Sequence, residues 1–166
     1  MSLHDDLLGQ ARHLLTFDKR KPRQANLRRA VLASYYALFH LLTGESAQRL
    51  GPSTPASLTP HIRRAFDHTT MRQVCRAIVT PQSGLNQTFH LKVSADLRRV
   101  ADAFGSLQDA RHKADYDLSS NLTRNEADLK VQEAEDAFAA WKKVRNSDEA
   151  NIFLVALLLR KEWPRR

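Results

Sequence analysis

The densest run of polar chemistry in the chain is Arg111-His112-Lys113-Ala114-Asp115-Tyr116-Asp117. Arg111 stands where its neighbourhood asks for an apolar side chain. Val93, Leu97, Val100, Phe104 and Leu107 recur at alternating spacings of four and three, the pattern of one helical face turned to a core. The next positions on that seam are Arg111 and Ala114. A guanidinium cannot shed its proton, and burying it unpartnered costs several kcal/mol. Asp115, four residues on, shares the same helical face, so an ion pair is expected. The pair reads two ways. It is a self-satisfied network that fixes helix register, or it holds an arginine ready to meet a phosphate.

A second seam, Leu27, Val31, Ser34, Leu38 and Leu41, also carries a polar residue, Ser34, with Tyr35 and Tyr36 beside it. If the two seams face each other, Ser34, Tyr35, Arg111 and Asp115 are expected to form one buried network. His112 is next to Arg111 but turned about a quarter-turn away on an ideal helix. His40 lies one and a half turns beyond Ser34. Arg63 and His68, with four residues between them, sit on a short helix elsewhere in the chain. Other chemistry is thin. The histidines are scattered without metal-ligand spacing, so no metal and no cofactor are expected. There is no glycine-rich phosphate loop. Cys75, the one cysteine, reads as a small buried hydrophobe.

The elements that must position these residues are helices. Five glycines in 166 residues and no alternating β-branched run give an all-α class. Helices are expected over about 3–17 and 24–43, the second ended by Gly44. Residues 45–59, with Gly51, Pro52 and Pro55, read as a loop. Thr59-Pro60 opens a helix to about 68, and a short one follows over about 70–78. Pro81-Gln82-Ser83-Gly84 is a second loop. The Arg111 helix is expected over about 91–116. Thr123-Arg124-Asn125-Glu126 is a capping box opening a helix to about 144. Ser147 caps a last helix over about 148–162. Its run Ile152–Leu159 is apolar all round and calls for burial inside the bundle or under a partner chain. One domain over 1–166 is expected, an up-and-down antiparallel bundle with an insertion at about 45–90.

The formal charge is +8 with a pI near 10.1, which favours a polyanionic partner such as nucleic acid. Few aromatics interleave with the basic clusters, so stacking on single-stranded bases is not indicated. A single cysteine fits a reducing cytoplasm. The start of the chain shows no signal-peptide pattern, and no apolar run is long enough to span a bilayer, so no membrane is expected.

Ser34-Tyr35-Tyr36-Ala37-Leu38-Phe39-His40 resembles the YYA-x-F helix signature of small HEPN domains (higher eukaryote and prokaryote nucleotide-binding). Arg111-His112-Lys113-Ala114-Asp115-Tyr116 resembles the R-x-x-A-D-Y signature of a bacterial and archaeal branch of them. The order and separation of the two agree over roughly residues 3–145. The resemblance implies a helical bundle, commonly a homodimer, often encoded beside a minimal nucleotidyltransferase. Many HEPN proteins are metal-independent ribonucleases of toxin–antitoxin or defence modules, using an arginine and a histidine after four to six intervening residues. A base takes the proton of a ribose 2′-hydroxyl, and the cation steadies the phosphoryl charge. In this chain Tyr116 stands five residues after Arg111, where that histidine is expected, and a phenol near pKa 10 is a poor base at neutral pH.

The reading of the sequence is therefore an HEPN-like helical protein that binds RNA or a nucleotide. Arg111 would meet phosphate, Asp115 would orient it, and Tyr116 would donate a hydrogen bond. Ser34, Tyr35, His40 and His112 would line the substrate side. The competing reading is a non-enzymatic interaction module that recruits a partner such as a nucleotidyltransferase.

Overall fold

The computed structural model describes residues 2–49 and 55–162. It is all-α, and no strand occurs among the described residues. The helices are α1 (Leu3–Phe17), α2 (Gln24–Arg49), α3 (Thr59–Arg64), α4 (His68–Val79), α5 (Gly84–Thr88), α6 (Ala95–Tyr116), α7 (Arg124–Val144) and α8 (Asp148–Leu159), with a 3-10 turn at Arg160–Glu162. Among the described residues no helix is long and apolar enough to cross a membrane. The chain divides into two compact units, Met1–His40 with Ala103–Ala139, and Leu41–Asp102 with Ala140–Arg166.

Sequence dictates several helix starts directly. Ser2 caps α1 in a reciprocal box with Asp5. Thr123 and Glu126 form the expected box at α7, the Thr123 amide donating to Glu126 Oε2 at 2.7 Å and the Glu126 amide to Thr123 Oγ1 at 3.2 Å. Ser147 accepts from the Ala150 amide at the start of α8.

Other boundaries depart from the pattern. Gly44 does not end α2, which runs on to Arg49. Leu41, Leu42, Thr43, Ser46 and Ala47 continue a buried face, and Ser46 Oγ donates to the carbonyls of Leu42 and Leu154. Burial thus overrides a modest propensity penalty of about 1 kcal/mol for a mid-helix glycine. The expected loop over 45–59 survives only as residues 55–58; residues 50–54, including Gly51 and Pro52, lie outside the described residues. Next, α6 begins at Ala95 rather than at Leu91, because Ser94 Oγ accepts the Leu97 amide and works as its cap. Further, α3 stops at Arg64, and Asp67 caps α4 by accepting from the Thr69 and Thr70 amides. Finally, Ser83 caps a short α5 where a plain loop is expected.

The first unit contains α1, the start of α2, the end of α6 and the start of α7. Arg12 on α1 grips Asp128 and Glu135 of α7, while His4 lies against Phe138, so these two helices run antiparallel. On α2 and α6 the order is likewise reversed, since Arg28 reaches the Ala114 carbonyl while Tyr35, further along α2, packs on Phe104, earlier in α6. Ser106 of α6 donates to Glu133 of α7 at 3.0 Å and accepts from Lys130 at 2.7 Å. The up-and-down bundle is therefore real within this unit. Its core centres on Ala11, Leu15, Leu27, Val31, Ala127 and Val131.

In the second unit α8 packs against α4. Phe153, Leu154, Ala156 and Leu157 are buried, half of the all-round apolar run; Ile152 and Leu158 are half-buried, and Val155 and Leu159 stay exposed. Asn86 on α5 donates to the carbonyls of Ile78 at 2.9 Å and Thr80 at 2.8 Å, closing the end of α4. Burial pushes the Cys75 thiol far above its ordinary value, with a smaller push from Asp102.

Candidate functional site

The large apolar residues of the α6 seam end at Leu107, while the small Ala110 and Ala114 still pack against the first unit's core. Leu97, Val100, Phe104 and Leu107 are fully buried, and Arg111, one turn on, is only partly so. Its side chain keeps 24% exposure and that of Asp115 keeps 26%. Arg111 is thus a rim residue, which is how a guanidinium occupies a core register without being stranded.

Two groups hold it. Arg111 Nη2 donates to the Tyr36 hydroxyl at 3.2 Å, and the guanidinium carbon sits 5.7 Å from the Tyr36 ring centroid. Asp115 Oδ2 lies 3.0 Å from Nε, an ion pair, yet the Nε–H is not aimed along a hydrogen bond to it. The distance is the better guide to the attraction, because Coulomb energy follows separation and only the hydrogen bond needs alignment. About a quarter of the Arg111 side chain, 24%, stays exposed. The exposed edge of a fixed cation is therefore left open to an anion.

The last turns of α6 are pinned from α2. Arg28 donates to the carbonyls of Ala114 at 2.7 Å, Asp117 at 2.9 Å and Ser120 at 2.6 Å. The Ala114 carbonyl is one that a helix end otherwise leaves unsatisfied, and the other two belong to the turn that follows α6. Gln24 adds a reciprocal pair with Leu122, its amide nitrogen at 2.8 Å from the carbonyl and its oxygen at 2.9 Å from the Leu122 nitrogen. Asp117 folds the turn after α6 by accepting from Ser119 and Ser120, and those bonds hold its carboxyl down at about 2, Ser119 contributing most.

The sequence-predicted site residues separate into three groups. Arg111 and Asp115 come together as expected. Ser34 and Tyr35 do not join them. Both are fully buried, Ser34 Oγ donates back to the Ala30 carbonyl at 2.9 Å, and Tyr35 packs on Phe104 with centroids 5.5 Å apart. The expected network of Ser34 and Tyr35 with Arg111 is replaced by Tyr36. One residue is about 100° around a helix, enough to exchange core for rim. Tyr116 also points elsewhere. It is 68% exposed and packs against His112 with centroids 4.8 Å apart, and no bond joins either to Arg111. His40 neighbours the site through Tyr36, its ring 6.4 Å from that of Tyr36.

Tyr36 is the residue that sequence reasoning undervalues. Its signal is the non-core stripe of α2: Ala25, Arg29, Leu32, Tyr36 and His40 follow one another at spacings of three and four and stay partly or wholly exposed.

A separate cavity of about 580 Å³ opens in the same unit on the neighbouring flank of α6. Val31, Ala110, Leu122 and Leu129 line it, with Lys113 and Lys130 beside them, and Arg111 is not part of it. No cluster of metal-ligating side chains occurs among the described residues. No family model matches the chain, and no curated protein or solved structure does either.

Proposed function

We propose that this chain binds RNA or a nucleotide through Arg111, in the manner its resemblance to HEPN domains implies. The observation that carries the reading is the cation's setting. Arg111 is oriented by Tyr36 and Asp115, about three-quarters buried, and keeps the remaining quarter of its side chain exposed. Such a guanidinium can bridge phosphate oxygens without reorganising. Asp115 fixes the fork and competes with the incoming anion, which keeps affinity moderate. Tyr36 takes the hydrogen-bonding role that the sequence gives to Tyr116.

Cleavage of RNA is a further step in the same proposal. His40, whose ring neighbours that of Tyr36 as the cation does, is the histidine best placed to act as base. A homodimer and a nucleotidyltransferase antitoxin partner belong to the proposal through the resemblance alone.

The test is binding and cleavage of a labelled RNA by Arg111→Ala and Tyr36→Phe proteins. Arg111→Ala should weaken binding about 10- to 100-fold, the worth of one charge-assisted contact of about 1.5–3 kcal/mol. Tyr36→Phe should cost a few-fold. Undiminished binding by a folded Arg111→Ala protein refutes the assignment.

The interaction-module reading has its own observation. Leu118 at 82%, Tyr116 at 68% and Leu129 at 60% exposure are large apolar side chains on the α6–α7 side of the first unit, a composition suited to a protein partner.

A further inference from the structure

The two units differ in charge far more than in size. The first holds eleven Lys and Arg against eleven Asp and Glu. The second holds fifteen against seven, so the whole net +8 belongs to it. Two of its fifteen, Arg165 and Arg166, lie outside the described residues.

Pairing sharpens the imbalance. Glu45 is taken by Arg145 at 2.6 Å and Arg49 at 3.8 Å. Asp67 is taken by Lys161 and by its capping bonds to α4. Asp96 faces Lys143 at 3.5 Å, and Glu149 accepts from the Ser94 amide at 2.8 Å. Most of the unit's carboxylates are thus spent on holding it together. Six cations remain that are exposed and have no acidic partner among the described residues: Arg63, Arg64, Arg76, Lys92, Arg99 and Lys142.

We infer that the second unit is the polyanion-binding surface of this protein, and that its ligand is the phosphodiester backbone of a nucleic-acid duplex. Four of the six cations are arginines, whose planar fork suits phosphate oxygens. Phe66, Trp141 and Phe153 of this unit are buried and Phe89 is the one exposed aromatic among its described residues, so a single ring is offered for stacking on unpaired bases, far short of a row of them. A membrane surface fits less well. Met71, Val74, Cys75 and Ile78 of α4 are buried, so this basic helix has no free apolar face to insert. Binding would be independent of sequence and steep in salt, because affinity comes from counterion release.

This deepens the RNA reading but stands apart from the Arg111 site, and the two are separable. The assay is fluorescence anisotropy with a labelled 20-base-pair RNA duplex, from 50 to 200 mM salt. The wild-type log–log slope should be about −4 to −5 if five or so phosphates are neutralised. Replacing Arg63, Arg64, Arg76 and Arg99 together by Glu should lower affinity at least 100-fold and flatten the slope by about 3, with the circular dichroism spectrum unchanged. The matched control, Lys19, Arg20 and Lys21 to Glu in the first unit, should change affinity less than threefold. Arg111→Ala should leave the slope within about one of wild type. The inference is overturned if the control does the greater damage, if the wild-type slope is shallower than −2, or if phosphatidylserine vesicles bind more tightly than the duplex. Loss of affinity in Arg111→Ala with a quadruple variant that binds normally would uphold the Arg111 reading and sink this one.

Discussion

Arg28→Ala should be the most damaging single change to the architecture around Arg111. The Arg28 guanidinium makes three bonds, at 2.6 to 2.9 Å, to carbonyls of α6 and the turn after it. A hydrogen bond involving a charged group contributes about 1.5–3 kcal/mol when its partners are shielded from water. Arg28 is half-buried, so water takes over part of each bond once the side chain is gone, and about 3 kcal/mol for the set is the reasonable sum. For a chain of this size that is a fall in Tm of roughly 6–12 °C. Arg28→Lys keeps the charge but replaces a rigid fork by a point, and should recover no more than about a third. Urea and thermal unfolding followed by circular dichroism measure both. Hydrogen exchange should show that the loss is local first, with amides of 114–122 opening ahead of α1. A destabilisation under about 1 kcal/mol would mean the carbonyls are served equally well by water, and the argument that α2 pins the end of α6 would fail.

Gly44→Ala should stabilise the protein by about 0.5–1 kcal/mol, because the position is mid-helix and an added Cβ meets only Arg63 Nη2 at 3.4 Å; a loss of stability in the melt would mean that α2 does end there. Asp67 has its carboxyl held well below the ordinary range, first by Lys161 and then by Thr70. A depressed folded value stabilises above the unfolded pKa and is lost as pH falls through the folded one, so a Tm–pH profile should drop below about pH 4 and Asp67→Asn should flatten that drop. An unchanged profile in Asp67→Asn would contradict the assignment. Cys75 should be inert to a thiol-specific dye in native protein and react at once in denaturant, since burial disfavours its thiolate; native labelling within minutes would contradict its place in the core.

Much of the fold is legible because it depends on local signals. The boxes at Thr123–Glu126 and Ser147 are decided by neighbours within one turn, and both sit where the pattern places them. Gly44 misleads for the opposite reason. Its local propensity is outweighed by contacts of Ser46 and Leu42 that come from far along the chain. The site is half legible. Arg111 and Asp115 are four apart on one helix, so periodicity alone joins them. The third member lies on α2, where burial on almost every side blurs the seam and makes Tyr35 and Tyr36 equivalent by spacing. Only packing distinguishes them, Tyr35 against Phe104 and Tyr36 against the guanidinium. The charge difference between the units is invisible in the linear sequence, because each unit is assembled from two distant segments.

The central claim is that the open edge of Arg111 receives a phosphate. The most direct measurement is the arginine Nε–H signal of Arg111 in a ¹⁵N NMR spectrum, assigned by its absence in Arg111→Lys, as RNA or a nucleotide is added. With phosphate on Arg111, that signal should shift progressively downfield until binding saturates, and its exchange with solvent should slow. A ligand that binds at the same concentrations while the Arg111 signal stays still would contradict it.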